Sequence, residues 1–314
     1  MSSPFISICV PTYKRADLLR RLFDSIADQQ FRDFEVVITD NSDDDSVEQL
    51  VRVCQNHLPI RYYRNNPAVS MGENWNRNIG LARGEWIKMM HDDDWFSGPE
   101  SLKRFAQSAR NGTTFLYSSF YAVYDDGRRT LKRFGKNNLW TRLLHRYPEI
   151  LFAENIIGPP TVTMVHASIK EQYDLRLKWR VDIDYYLRVM AKGHQAVLID
   201  EPLINIGISE VQTTQSCLNN PRVELPETLI LLQKFGTDML RNIIVYDAVW
   251  RMMRNMNIRN EEQLLQYSEG PWPPAIKHIL TDQSRHASEK LQKGWYSKLA
   301  MFNSWRRTYR NIGR

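Results

Sequence analysis

The run His91-Asp92-Asp93-Asp94-Trp95 sets three carboxylates side by side at the end of Trp86-Ile87-Lys88-Met89-Met90, a segment that reads as a largely buried strand. Adjacent carboxylates repel and raise one another's pKa, so a cluster where a buried strand meets a loop asks for a cation or for hydrogen-bond donors. A hard divalent metal is the natural partner. Mg²⁺ or Mn²⁺ takes oxygen ligands, typically one or two carboxylates with substrate phosphates completing the shell, and this points to a phosphorylated substrate. A solvated acidic turn is the competing reading, and the surrounding elements weigh between the two.

Those elements alternate. Ile6 to Val10 is a short β-branched strand stopped by Pro11-Thr12, and Ala16 to Gln30 repeats Leu18, Leu19, Leu22, Phe23 and Ile26 at helical spacing. Phe34 to Thr39 reads as a second strand ending on Asp40-Asn41-Ser42-Asp43-Asp44. Val47 to Asn56 is a helix, Ile60 to Tyr63 a strand and Asn74 to Ala82 a helix before the strand at residues 86–90. Such alternation predicts an α/β fold with a mostly parallel sheet and helices on both faces. Ligands of such sheets bind beyond the carboxyl ends of the strands. Thr12, Asp40 and Asp92 to Asp94 all fall at such ends, so three polar clusters should converge on one crevice.

Beyond residue 100 the alternation loosens. Phe115 to Val123, Pro160 to Val165 and Ala196 to Ile199 read as strands, and Leu139 to Leu144 and Asp182 to Ala191 as helices. From Leu225 the pattern is helical, interrupted by Gly270-Pro271-Trp272-Pro273-Pro274. The expected organisation is a domain over 1–222, with 1–100 binding the phosphorylated ligand and 101–222 forming the other side of the site, followed by a helical region over 223–314.

Composition narrows the class. In 314 residues, 42% hydrophobic and 25% charged, there is material for a full core. No stretch of eighteen apolar residues occurs and Met1-Ser2-Ser3-Pro4-Phe5 is not a signal sequence, so a cytoplasmic protein is expected. Cys9, Cys54 and Cys217 lack metal-ligand spacing and read as reduced and structural. Residues 285–314 hold eight basic side chains against the single acid Glu289, a net of +7, and the rest of the chain balances at −1. Charge therefore gives no support to nucleic-acid binding by the main body.

Five segments together resemble the family 2 inverting glycosyltransferases of GT-A fold. Pro11-Thr12-Tyr13-Lys14-Arg15 resembles their first loop, Ile38-Thr39-Asp40-Asn41-Ser42 their second strand end, and Gly72 to Gly84 the helix carrying Arg77 and Asn78. The acidic triplet stands at their Asp-X-Asp motif, and Trp179-Arg180-Val181-Asp182-Ile183-Asp184 resembles the motif that opens a helix and supplies the base. The resemblance implies a nucleoside-diphosphate-sugar donor, with UDP as the expected carrier, and a glycan or lipid-linked glycan acceptor in bacterial cell-surface polysaccharide assembly. Pro11, Thr12, Tyr13 and Arg15 would flank base and diphosphate, Tyr13 offering a stacking face and Arg15 a guanidinium fork suited to phosphate. Asp40 would accept a hydrogen bond from the base, Arg77 would sit over base or diphosphate, and Asn78 has a helix-positioning role as its alternative. Asp92 is expected to face the ribose and Asp93 the metal, Mn²⁺ or Mg²⁺, with Asp94 as ligand if the register shifts by one. His91, where the family usually has its first acid, is read as an ordinary hydrogen-bonding residue and left out of the metal shell.

Asp182 is the expected catalytic base, because inverting transfer needs a carboxylate to take the proton of the attacking acceptor hydroxyl. Two departures from the family stand out. Val181 replaces the glutamate usually preceding the base, which leaves Asp184 as a rival, and the loop expected at Ile204 to Ser209 has no histidine for the metal. Ser209 to Ser216 is a candidate lid, and Trp140 and Trp179 are candidate sugar-stacking faces with core packing as the alternative. A sugar-phosphate nucleotidyltransferase would need a Gly-rich loop after the first strand, which Pro11 to Arg15 does not supply; a non-catalytic nucleotide-sugar or glycan-binding module is the rival of different class.

If Ser288 to Arg310 is one helix, Leu291, Trp295, Leu299, Phe302, Trp305 and Tyr309 fall in an arc of about 120° with Lys298 and Arg306 in or beside it. That pattern suits an interfacial helix at the inner face of a membrane carrying anionic lipid. It equally suits a helix packed on its own domain or on a second subunit.

Overall fold

The computed structural model describes residues 3–110, 112–132, 138–209 and 216–310. It has a GT-A-like α/β architecture with a helical C-terminal region. Two compact units interleave along the chain, one of residues 1–146, 156–175 and 184–210, the other of residues 147–155, 176–183 and 211–314.

The first unit is built on a nine-stranded sheet. Its opening strands are β1 (Ile6–Thr12), β2 (Phe34–Asp40), β3 (Ile60–Arg64) and β4 (Trp86–Met89), all parallel in the spatial order β3-β2-β1-β4. The intervening helices are α1 (Ala16–Ala27), α2 (Ser46–Cys54) and α3 (Met71–Gly80). On α1 the residues at helical spacing, Leu19, Leu22, Phe23 and Ile26, are buried against the sheet in one core with Ile6, Ile8, Val36 and Ile38. Each such side chain contributes about 1.5–3 kcal/mol on burial, enough to hold the helix without strong capping. The helix in fact has no side-chain N-cap bond.

Beyond β4 the sheet becomes mixed. β5 (Trp95–Phe96) pairs antiparallel with β9 (Ala196–Ile208), which runs parallel to β6 (Phe115–Tyr124). β7 (Arg129–Lys132) pairs with β6, and β8 (Thr163–His166) lies between β4 and β6. Three expectations need correction. Pro160 to Val162 forms a 3₁₀ turn rather than the start of a strand, as consecutive prolines without N–H donors favour. Ile204 to Ile208, expected as a loop, is the end of β9, where the chain gains a partner in β5. Residues 210–215, the larger part of the candidate lid, lie outside the described residues.

In the second unit, helices span Pro221–Phe235, Ile243–Asn255, Pro274–Ser284, Ser288–Leu291 and Gly294–Arg310. The expected single tail helix is thus two, broken at Gln292-Lys293 before Gly294. Leu291 is buried, apart from the stripe it was grouped with. No helix among the described residues is long and apolar enough to cross a membrane.

Candidate active site

The parallel register sets the geometry of the first unit's polar edge. Thr12 pairs with Asp40 and Cys9 with Met89, so the segments leaving β1, β2 and β4 emerge at the same edge. There the Thr12 hydroxyl donates to Asp92 at 2.8 Å, and the Arg15 guanidinium reaches Asp92 at 3.3 Å and Asp93 at 3.1 Å. Pro11 is buried inside β1, while Tyr13 is 54% exposed, with the Lys14 ammonium 5.4 Å from its ring centroid. Lys14 turns the chain with a positive φ of 54° and donates its backbone N–H to Ser42 Oγ at 2.8 Å, which ties the first loop to the second.

Asp40 is fully buried and accepts from the Ser42 backbone N–H and the Tyr62 hydroxyl, each at 2.8 Å. Beside it the Asn65 amide donates to Asn41 and to Asn74, both at 2.8 Å, and Arg77 reaches Asn65 at 3.2 Å and Glu73 at 3.0 Å from an exposed position on α3. Asn78, fully buried, donates to the Val37 carbonyl and to Thr39 Oγ1, so it pins α3 onto β2. Asn41, Asn65 and Asn74 form a network that spacing did not reveal, because its members come from three separate elements.

The acidic triplet is built into protein rather than solvated. Burial, and then the neighbouring Asp93 charge, push the Asp92 carboxyl up to about 6 despite Arg15 and Thr12. Asp94, 2% exposed, is raised well above the ordinary carboxylate range by the same two causes. Its donors come from afar: the Thr161 hydroxyl, and the Gly207 N–H at 3.1 Å. Gly207 is required there, since a Cβ would lie 2.5 Å from the Asp93 carbonyl oxygen. Lys88 lies fully buried beneath, donating to the carbonyls of Thr161 and Met89. Desolvation pushes it down to about 7, while Asp94 pulls the other way.

His91, read from the sequence as an ordinary hydrogen-bonding residue, stands in this cluster. Ligand atoms of His91, Asp93 and Asp94 lie within 4.8 Å of one another, a span one ion can bridge as its ligands draw in. The ring stacks on Trp75 with centroids 4.7 Å apart, and Trp75 meets Tyr173 edge-on, so the imidazole is oriented from α3. Burial pushes its pKa down to about 4, which keeps it neutral as a ligand must be. Its Nε2 is buried without a hydrogen-bond partner among the described residues. Nδ1 stands 4.0 Å from Asp94, and a neutral imidazole gathered with two carboxylates is a donor set that fits a divalent cation.

In the second unit, Asp182 stands in the first turn of the helix Val181–Ala191. One carboxylate oxygen accepts from the Asn155 amide at 2.6 Å and the other from the Ile183 N–H at 2.8 Å. Desolvation still pushes its pKa up to about 6, against these bonds and the Arg180 charge. The turn before it is clamped by Glu227, whose two oxygens accept the backbone N–H groups of Lys178, Trp179 and Arg180 at 2.7 to 3.1 Å. Arg180 is buried, bonded to Glu224 at 3.3 Å and stacked on Phe152. Asp184 differs from Asp182 in belonging to the first unit, where it is fully buried and paired with Arg188 at 2.8 Å. Trp140 and Trp179 are half-buried.

The glycosyl transferase family 2 domain is matched over residues 7–167, from β1 through the acidic cluster to β8. The chain belongs to this family. It is therefore a glycosyltransferase, and the polar strand-end edge lies within the matched residues. Among relatives, the chain is 32% identical over 119 residues to a GalNAc(5)-diNAcBac-PP-undecaprenol β-1,3-glucosyltransferase of Campylobacter jejuni, covering 37% of this chain and 38% of that one. Among solved structures, S. aureus TarS 1–349 in complex with UDP-GlcNAc aligns with a TM-score of 0.61 at 17% identity over 92% of both chains. Mannosyltransferase PcManGT from Pyrobaculum calidifontis, in complex with GDP-Man and Mn²⁺, aligns at 0.59 with 12% identity over 97% of this chain and 86% of that one. At these identities the two structures speak for the fold.

Proposed function

We propose that this family 2 member is an inverting, metal-dependent glycosyltransferase that moves a sugar from a nucleoside-diphosphate donor, UDP in the first instance, to a hydroxyl of a glycan or lipid-linked glycan in bacterial surface polysaccharide assembly. The observation that carries the reading is the gathering of ligand atoms of His91, Asp93 and Asp94 within 4.8 Å of one another, set at the strand ends beside Arg15 and Tyr13. The nucleotide sugars bound by TarS and PcManGT, the Mn²⁺ in the latter and the undecaprenol-linked acceptor of the Campylobacter enzyme support the donor, the metal and the acceptor class.

In this mechanism Tyr13 offers its ring to the nucleobase, while Asp40 and Arg77 with the asparagine network shape the nucleoside side. Arg15 turns from the carboxylates to the diphosphate and stabilises its growing charge. Asp92 faces the ribose. A divalent ion held by His91, Asp93 and Asp94 would act as a Lewis acid on the leaving diphosphate. Asp182 takes the proton of the acceptor hydroxyl; a carboxyl brought to about 6 is a stronger base than an ordinary aspartate and is still ionised at neutral pH. The ion pair of Asp184 with Arg188 favours a structural part for the rival acid. Absence of a histidine from the end of β9 is offset by His91, which supplies a nitrogen from β4's own exit.

A thermal-shift screen of nucleoside diphosphates with and without Mn²⁺, followed by donor turnover, tests the reading. Binding to the folded state alone raises the melting temperature, so UDP with Mn²⁺ should give a larger shift than either component. No shift with any nucleoside diphosphate in Mn²⁺ sinks the donor site, and binding without donor hydrolysis or transfer reduces the protein to a binding module.

A further inference from the structure

The helix Gly294–Arg310 has its polarity inside out. Its buried face is Ser297, Ala300, Met301, Ser304 and Thr308, and the hydroxyls there are spent on the helix Ile243–Asn255: Trp250 Nε1 donates to Ser297 at 3.1 Å and the Tyr246 hydroxyl lies 2.8 Å from Ser304. Its outward face carries Trp295, Leu299 and Phe302, which are 72%, 55% and 40% exposed. A helix inserted into a core turns such a stripe inward; here the inward seat is already filled, and among the described residues the ring contacts of the stripe at i, i+4 and i+7 are with Tyr296, Trp305 and Arg306 of its own helix.

Charge decides what covers it. No acid occurs after Glu289, while Lys298 and Arg306 lie on or beside the stripe, Arg306 stacking over the Phe302 ring at 5.7 Å. Asp247 and Asp282, buried under the helix, are already bridged to Lys298 and Arg251 and to Arg285 and Arg307. A second copy docked face to face on this ridge would set the same cations against each other, which is unfavourable. An anionic bilayer surface gives each group its place: aromatic rings at headgroup depth, leucine toward the acyl chains and cations on the phosphates. We propose that the Trp295-Leu299-Phe302 ridge docks this glycosyltransferase on an anionic lipid surface. This rests on the packing of the helix and not on the assignment of donor, metal or base.

The experiment is sedimentation of the full chain with vesicles of phosphatidylcholine alone, or with about a third of phosphatidylglycerol, over a range of salt. Binding is expected with the anionic vesicles only and should weaken as salt rises. The combined variant Trp295→Ser, Leu299→Ser and Phe302→Ser should bind at least about tenfold less, because aromatic and leucine insertion is lost, with circular dichroism and melting temperature retained since all three side chains point outward. Should that variant misfold, Arg306→Glu, which reverses the charge stacked on the Phe302 ring and lies away from the buried face, is the second probe and should also weaken binding. Wild-type protein that ignores anionic vesicles, or a folded variant that still binds them as well, overturns the proposal. So does a wild-type oligomer that the serine variant turns into a monomer, which would assign the ridge to a second copy.

Discussion

Asp92 and Asp182 are both carboxylates pushed up to about 6 by burial, one in each unit, and their surroundings differ in kind. Asp92 sits among like charges, with Asp93 and Asp94 as neighbours and Arg15 bridging two of the three. Asp182 is held by an amide and backbone N–H groups, with no carboxylate among the groups that shift it. A crowd of acids lowers its energy by taking up positive charge, whereas a solitary desolvated acid lowers it by taking up a proton. The first arrangement suits a cation and the second suits a base.

The largest expected effect follows from the crowded side. Asp93→Ala or Asp94→Ala should abolish the Mn²⁺-dependent part of donor binding, measured by titration calorimetry, while far-UV circular dichroism stays unchanged. If both variants bound donor in Mn²⁺ as the parent does, the cluster would be an acidic turn with no ligand of its own. His91→Ala sharpens the test, because it removes the nitrogen and leaves both carboxylates in place.

The solitary acid gives the next effect. Asp182→Asn should lower kcat by about a hundredfold or more, with donor affinity nearly unchanged, and Asp184→Asn should do much less. Reversal of that order would move the base to Asp184. The pH dependence separates the two regions further. A base must be ionised, so kcat at saturating donor should fall below pH 6 as Asp182 protonates, and this limb should vanish in Asp182→Asn. A limb that survives in donor binding belongs to the buried acids of the triplet, Asp92 and Asp94. Stability runs in the opposite sense. A carboxyl whose folded pKa lies above its unfolded value favours the fold most below the unfolded value, and that advantage is lost as pH rises through about 6. Asp182→Asn should therefore melt higher than the parent at pH 7 and about level with it near pH 4, by scanning calorimetry.

Which parts of this were legible in the sequence follows from how local their causes are. The first four strands and three helices are written in β-branched runs and 3.6-residue spacing, and their ends bring Thr12, Asp40 and the triplet to one edge. The partners that complete the triplet are not local: Thr161 and Gly207 return through a 3₁₀ turn and the far end of a thirteen-residue strand. His91 looked like an ordinary loop residue because its distinguishing contact is Trp75, on another helix. In the tail the aromatic arc was visible, yet its direction was not. Ser297, Ser304 and Thr308 are the packed face because Tyr246 and Trp250, on a separate helix, supply partners for them. β9 was read too short because Asp200-Glu201-Pro202 interrupts its apolar run, where the pairing with β6 shifts register.

The smallest effect concerns how the solitary acid is held. Glu227 fixes three successive backbone N–H groups immediately ahead of the helix turn that carries Asp182, and it reaches them from the separate helix Pro221–Phe235. Glu227→Gln keeps the shape and one acceptor oxygen but replaces the other by an amide that cannot accept, so part of the clamp opens. The side chain touches neither reacting group in the proposed mechanism, which makes it a positioning residue. Expected are a drop in kcat of about three- to tenfold, as for a general base slightly out of place, with donor Kd unchanged and the acid limb of the profile displaced from about 6. A purely structural role would instead lower the melting temperature while leaving the limb where it was. Glu227→Asp, which keeps both acceptor oxygens on a shorter stem, should recover part of the rate.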